Sequence, residues 1–225
     1  MDSPALVPQI IQTISVFCAC VAVIFGIDAW RREFVGKRRI ALAEKVLVAF
    51  YEARDALARI RHSSGYVGEG AERERRPNES AEESRILDQA NVVFVRYNEE
   101  REIFNRLRAL RYRTVARLGA SAIEPFDELD KAIKGVFKAA GLLGTLYWRR
   151  DHFRTEDQLE RHLREAQKYE AMFWATGDEE DEISRGMNGT IVKVEAICRP
   201  IIANPGVGFI LVSPLREILK HRRNL

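Results

Sequence analysis

An uncharged run of about 20 residues near the N-terminus constrains this chain more than any other feature. Residues 8–27 read PQIIQTISVFCACVAVIFGI and contain no acidic or basic side chain, whereas charged residues make up 31% of the whole chain. A helix of about 20 apolar residues is long enough to cross a hydrocarbon core of roughly 30 Å. We therefore predict a transmembrane helix at residues 8–29, preceded by a short extracytoplasmic N-terminus at residues 1–7.

Two other interpretations of this run fit its residues less well. A secretory signal peptide has a basic n-region and a shorter apolar segment, but the only charged residue before the run is Asp2. A buried core helix would need other segments apolar enough to surround it, and no other stretch of the chain is as apolar. A retained membrane helix is therefore favoured.

The charges on either side of the predicted span predict its orientation. No Lys or Arg precedes it and several follow it, and basic residues near a span stay on the cytoplasmic side. An indole side chain at the end of a span lies preferentially at the level of the lipid headgroups. Basic side chains at that level either contact anionic lipid headgroups or act only as a stop-transfer signal. We expect a single-pass protein of a bacterial-type inner or plasma membrane, with its C-terminal domain in the cytoplasm. The predicted membrane-interface residues are Trp30, Arg31, Arg32, Lys37, Arg38 and Arg39.

Small and polar side chains recur along one side of the predicted span at spacings of three and four residues. Small residues in such a row let two helix backbones approach closely in lipid, and a Gln side chain can hydrogen-bond across the pair. The row has two interpretations. It either allows two spans to self-associate, or it reflects only the high frequency of small residues in membrane helices. The predicted helix-association face consists of Gln12, Ser15, Ala19, Ala22 and Gly26.

The rest of the chain has the periodicity of α-helices, which predicts an all-α fold. Val46, Phe50, Ala53, Leu57 and Ile60 recur at spacings of four and three, as expected for the buried side of a helix. No residue between the span and this pattern stops a helix outright. We therefore predict one helix that leaves the membrane and enters a cytoplasmic antiparallel bundle of four to five helices at residues 30–199.

Capping signals divide the predicted bundle into helices. Ser80, Ser121 and Thr155 each begin a capping box, in which the hydroxyl and a Glu or Gln three residues later bond to free backbone N–H groups. Gly119 and Gly177 are expected to end helices. The predicted helices after the first cover residues 81–118, 122–148, 156–176 and 183–198.

Two segments are predicted to lie outside the helices. Residues 63–79 are rich in Gly and charge and contain Pro77, which predicts a mobile loop. Residues 200–225 form a C-terminal extension that is interrupted by Asn204-Pro205-Gly206 and Pro214 and ends in a basic tail. This extension is too short and too interrupted to span a bilayer.

The balance of charges argues against a dedicated nucleic-acid binder. The chain has 36 basic and 33 acidic residues, a net charge of +3. Arg106, Arg113 and Arg117 lie on one side of the second predicted helix, and no aromatic residues are interleaved with them to stack bases. We expect these arginines to form a solvated face that pairs with acids of neighbouring helices, and nucleic acid is not an expected partner.

No motif in the sequence carries recognisable chemistry. The four histidines have no partner at a metal-ligand spacing such as HExxH, and Cys18, Cys20 and Cys198 form no metal or redox motif. We predict no catalytic residue, cofactor or metal site. The expected function is a membrane-anchored, non-enzymatic interaction or scaffold protein that contacts membrane lipid and a protein partner. The alternatives are an effector whose span oligomerises or perturbs the membrane, and an enzyme with a site hidden in the bundle.

Overall fold

The computed structural model describes residues 6–148, 155–175 and 181–203. These residues form six α-helices and no strand, so the predicted all-α class is confirmed. A 3₁₀ turn, Ala120–Ile123, precedes α4, and a π-helical turn, Leu143–Tyr147, follows it. The helices are α1 Leu6–Ile60, α2 Ala81–Glu99, α3 Arg101–Leu118, α4 Glu124–Leu142, α5 Glu156–Phe173 and α6 Glu182–Ala203.

The chain divides into two compact units. One comprises Met1–Leu42 and Pro200–Leu225, and the other is Ala43–Arg199, which contains the helical bundle. Among the residues that the structure describes, no helix combines the length and the apolar character needed to cross a membrane. The predicted span at residues 8–29 is therefore not supported by the structure and remains a prediction.

The end of α1 supplies one face of the bundle core. The Phe50 ring meets the Phe126 ring of α4 edge-on, with ring centroids 4.9 Å apart. Such edge-to-face contacts are a preferred geometry for packed aromatic side chains. The five residues that the periodicity predicted to be buried are all buried: Val46, Phe50, Ala53, Leu57 and Ile60. The continuity of α1 with the predicted span is also confirmed, since one helix covers Leu6–Ile60.

The helix predicted at residues 81–118 is two helices, which corrects the sequence-based expectation. The break is at Glu100, whose φ of −89° and ψ of 4° are not helical. No Gly or Pro lies at this position. The Glu100 carboxylate accepts hydrogen bonds from the Arg59 guanidinium of α1 at 2.5 and 3.0 Å. The break thus coincides with a contact between residues far apart in sequence, which a local pattern does not show.

Two of the three predicted capping boxes form the expected N-cap bond. The hydroxyls of Ser80 and Thr155 accept hydrogen bonds from the backbone N–H groups of Glu83 and Gln158. The box at Ser121 was wrong, because this residue lies in the 3₁₀ turn and α4 begins at Glu124 without a side-chain cap.

The predicted helix ends are partly correct. Gly119 ends α3 with a φ of +107°, a conformation that Gly adopts without steric cost. α5 ends at Phe173, and the stop predicted at Gly177 lies outside the described residues. α6 continues through Pro200 to Ala203, five residues beyond the predicted end at residue 198. The predicted extension therefore begins as helix, and its residues 204–225 lie outside the description.

Gly144, in the π-helical turn after α4, allows close packing against α2. A Cβ atom at this position would lie only 2.7 Å from the Cβ atom of Ala90 on α2. Real Cβ contacts are not that short, so only Gly fits between the two elements. Gly141, three residues earlier, has no atom within 4 Å of such a Cβ, so its small size is not needed for packing.

Candidate functional site

Large apolar side chains are exposed along the first half of α1. Phe17 and Phe25 are 69% and 67% exposed. Single exposed apolar side chains are common on proteins, but a contiguous set of this size marks a surface for a partner or a membrane. The exposed large apolar residues of this stretch are Ile14, Val16, Phe17, Val23, Phe25 and Ile27.

The predicted helix-association face lies on the same part of α1 and is exposed. Gln12, Ser15, Ala19, Ala22 and Gly26 are all exposed to solvent. A Cβ atom at Gly26 would meet no atom within 4 Å. Within the described part of the chain, therefore, no packing contact of this chain explains a glycine at position 26.

The predicted membrane-interface residues lie on the next two turns of α1. Trp30, Arg31, Lys37 and Arg38 are exposed. Arg39 is half-buried, and its Nε atom is buried with no hydrogen-bond partner among the described groups. The side chain of Arg32 lies outside the description.

One aromatic residue of this region was missed from the sequence. The Phe34 ring stacks on the Trp30 ring, with centroids 5.6 Å apart and an angle of 19° between the planes. The Arg38 guanidinium also lies over the Phe34 ring, 4.1 Å from its centroid. Trp30, Phe34 and Arg38 are spaced four residues apart, which places them on one helix face. This spacing is visible in the sequence and was sufficient to predict that their side chains are neighbours. We call these three residues the aromatic–arginine column.

A buried arginine joins three helices inside the Ala43–Arg199 unit. Arg61, one residue beyond α1, is 1% exposed. Its guanidinium donates hydrogen bonds of 2.9 to 3.0 Å to the carbonyls of Ala171, Met172 and Trp174 at the end of α5. The last carbonyls of a helix have no partner within it, and a basic group there also complements the helix dipole. Arg61 thus serves as a cap for α5 supplied by α1.

The Arg61 guanidinium also pairs with Asp181, just before α6. Nη1 of Arg61 lies 2.9 Å from Oδ1 of Asp181, and both side chains are almost fully buried. Burial lowers the pKa of Arg61, while the Asp181 charge acts in the opposite direction. Burial would raise the pKa of Asp181, but hydrogen bonds from Ser184 and the Arg61 charge hold it below its usual value. Both groups are therefore charged at neutral pH.

The acidic run before the last helix was expected to complement a helix N-terminus, and Asp181 does so. Its carboxylate accepts a 2.9 Å hydrogen bond from the backbone N–H of Ser184, in the first turn of α6. A carboxylate at this position satisfies a free N–H group and complements the dipole. The other residues of the run, 178–180, lie outside the description.

A second buried arginine anchors the loop at residues 63–79. Arg96 of α2 forms a bidentate pair with Glu69, with distances of 2.5 and 2.8 Å. It also donates to the carbonyls of Ile60, His62 and Ser64 at the end of α1. The hydrogen bond to Arg96 is the main cause that lowers the pKa of Glu69. These contacts join the loop to α2 and to the end of α1, and the mobility of the loop stays a prediction.

One of the three α3 arginines that were expected to pair with acids of neighbouring helices, Arg106, is shown to do so. Arg106 pairs with Glu52 of α1 at 2.8 Å, and Arg111 pairs with Asp127 of α4. Arg108 donates a 2.7 Å hydrogen bond to the Tyr97 hydroxyl. These arginines bind neighbouring helices, and Arg113 and Arg117 are exposed.

The residues with the most potential for chemistry are in unreactive settings. Burial raises the pKa of the Cys198 thiol to about 11, so the nucleophilic thiolate is scarce at neutral pH. His162 was expected to be solvated, but its Nε2 atom lies 2.9 Å from the Tyr147 carbonyl oxygen and its ring contacts the Tyr147 ring. Among the described residues, no group of three potential metal ligands lies close enough to hold an ion.

No known protein family, curated protein or solved structure matches this chain.

Proposed function

We propose that this chain is a membrane-anchored interaction or scaffold protein without enzymatic activity. Residues 8–29 form its membrane anchor, and the helical bundle faces the cytoplasm. The observation that carries the proposal is the change in environment along α1. Large apolar side chains are exposed on several sides of α1 between Ile14 and Ile27, whereas between Val46 and Ile60 one side of α1 is buried in the bundle and Val48 is exposed.

The energetic cost of that exposure favours a membrane. Removing one large apolar side chain from water is worth about 1.5–3 kcal/mol. Removing all six exposed side chains of the stretch from water would therefore contribute a free energy on the order of 10 kcal/mol. A hydrocarbon core would supply this burial. The basic residues that follow favour a cytoplasmic position for the bundle.

The alternative of a hidden enzyme is less favoured because the buried polar groups are already in use. A cavity of about 260 Å³ lies beside Arg61 and is lined in part by Arg54, Asp55 and Asn188. Every nitrogen of the Arg61 guanidinium already donates to a protein oxygen. A catalytic site needs polar groups that are free to meet a substrate, and this cavity offers few.

Two lysines in the exposed apolar stretch should release the protein from membranes. We expect the full chain with Val16→Lys and Val23→Lys to leave the alkali-washed membrane fraction, because each charge at the centre of a span costs about 2.5–3.5 kcal/mol. The matched control is Val48→Lys with Val192→Lys, which changes two equally exposed helical valines of the bundle. It should remain with the membranes. Retention of the first variant, or loss of the unmodified chain on washing, would contradict the anchor.

The effector alternative depends on association of the spans, and the open position at Gly26 favours it. A bulky side chain at Gly26 would separate two helices that meet on this face. We therefore expect Gly26→Leu to reduce association of the full chain in a bacterial-membrane two-hybrid assay. Val23→Leu adds volume to a neighbouring exposed position and should change little. Equal signals for the unmodified chain and both variants would mean that the small-residue row reflects composition only.

A further inference from the structure

We propose that the aromatic–arginine column, together with Arg31, binds the headgroups of anionic phospholipids. The inference rests on the proposed membrane anchor and adds to it a lipid class and the residues that select it. The column is Trp30, Phe34 and Arg38, and Arg31 lies on the same side of α1, three and seven residues before Phe34 and Arg38.

The column is exposed, and its groups are stacked on one another. Trp30 is 66% and Phe34 is 42% exposed, although their rings are stacked on each other. Arg38 covers Phe34 at a distance typical of a cation–π contact. Nothing in the fold requires two stacked aromatic rings on an open helix face. An aromatic side chain with a polar edge fits the boundary between hydrocarbon and headgroups.

Arg38 is available for a phosphate, whereas its neighbour Lys37 already pairs with a carboxylate. The Lys37 ammonium lies 2.7 Å from the Glu33 carboxylate on the same helix, in an exposed ion pair. The flat face of the Arg38 guanidinium lies over the Phe34 ring, and it forms no hydrogen bond with another described residue. A guanidinium stacked by its face still presents its N–H groups along its edge. Those groups match two phosphate oxygens.

The charge and position of the column favour lipid over a protein partner. Residues 31–39 contain five basic residues and one acidic residue. The column directly follows the exposed apolar stretch on the same helix, as a headgroup-binding segment must follow a span. Basic residues at this position are worth about 1 kcal/mol each towards an anionic surface, which corresponds to about fivefold in local lipid concentration.

Quenching of Trp30 fluorescence by brominated lipid tests the inference directly. The full chain is reconstituted in phosphatidylcholine vesicles that carry a small fraction of brominated lipid, either phosphatidylcholine or phosphatidylglycerol. The Trp30→Phe chain supplies the background from Trp148 and Trp174. We expect brominated phosphatidylglycerol to quench Trp30 several-fold more effectively, and Arg38→Gln to reduce this preference about fivefold. Lys37→Gln should reduce it less, because the Lys37 charge is partly offset by Glu33.

The outcomes separate the inference from the proposed anchor. Equal quenching by the two lipids, or a preference that survives Arg38→Gln, would overturn headgroup binding and leave the anchor intact. A loss as large in Lys37→Gln as in Arg38→Gln would also overturn it, because charge alone would then be sufficient. Quenching of Trp30 by neither lipid would overturn the anchor and the inference together.

Discussion

Replacement of Arg61 with Met is expected to lower the free energy of unfolding by about 3–5 kcal/mol, the usual cost of leaving one partner of a buried ion pair alone. The variant would bury the Asp181 carboxylate without its countercharge. It would also leave the carbonyls of Ala171, Met172 and Trp174 without the hydrogen bonds that end α5. Met retains much of the arginine volume, so the loss would come from polar groups rather than from a cavity.

The matched control is Arg59→Met, two residues earlier, in the last turn of α1. Arg59 also forms an ion pair, with Glu100, but its side chain is 56% exposed. Exposed pairs contribute only about 0–1 kcal/mol. Urea unfolding of the detergent-solubilised full chain, followed by far-ultraviolet circular dichroism, measures both. Equal effects of the two substitutions would show that the Arg61 network does not hold the bundle together.

Gly70→Ala is expected to destabilise the protein by about 3 kcal/mol, through backbone strain and overpacking. Gly70 has a φ of +88°, in which a Cβ atom clashes with its own backbone. In addition, this Cβ atom would lie 2.1 Å from the backbone oxygen of Asp88 on α2. A backbone oxygen inside a helix cannot move aside, so the loop would have to detach from α2.

Gly68→Ala measures the backbone strain alone, since Gly68 has the same φ of +88° and no atom within 4 Å of its Cβ position. We expect this control to cost only the conformational strain, about 1–2 kcal/mol. The difference between the two variants, measured by the same urea unfolding, reports on docking of the loop against α2. Two small and equal effects would support the mobile loop that its composition predicts.

The ion pairs of the loop at residues 63–79 could not be predicted from its composition. Gly and charged residues are typical of mobile segments, because they offer little apolar surface to bury. Here the charges are used for specific pairs: Glu69 binds Arg96, and Arg73 binds Glu79 and Asp88. The partners Arg96 and Asp88 belong to α2, and no local pattern identifies them.

The two buried arginines were also beyond sequence reasoning. Arg61 and Arg96 look like any other arginine of a charged helix, and a lone arginine is normally exposed. Each is buried because several carbonyls at the end of a different segment converge on its guanidinium. Such convergence depends on the ends of three elements meeting in space.

The sequence by itself determined the all-α class, the buried face of α1 from Val46 to Ile60, the N-caps at Ser80 and Thr155, and the end of α3 at Gly119. These features follow from helical periodicity and from hydrogen bonds between residues at most a few positions apart. The tertiary structure decided the break at Glu100, the contacts of the loop and the burial of Arg61 and Arg96. These depend on contacts between residues far apart in the sequence, from 15 positions for Arg73–Asp88 to 120 positions for Arg61–Asp181. Local sequence patterns do not show such contacts.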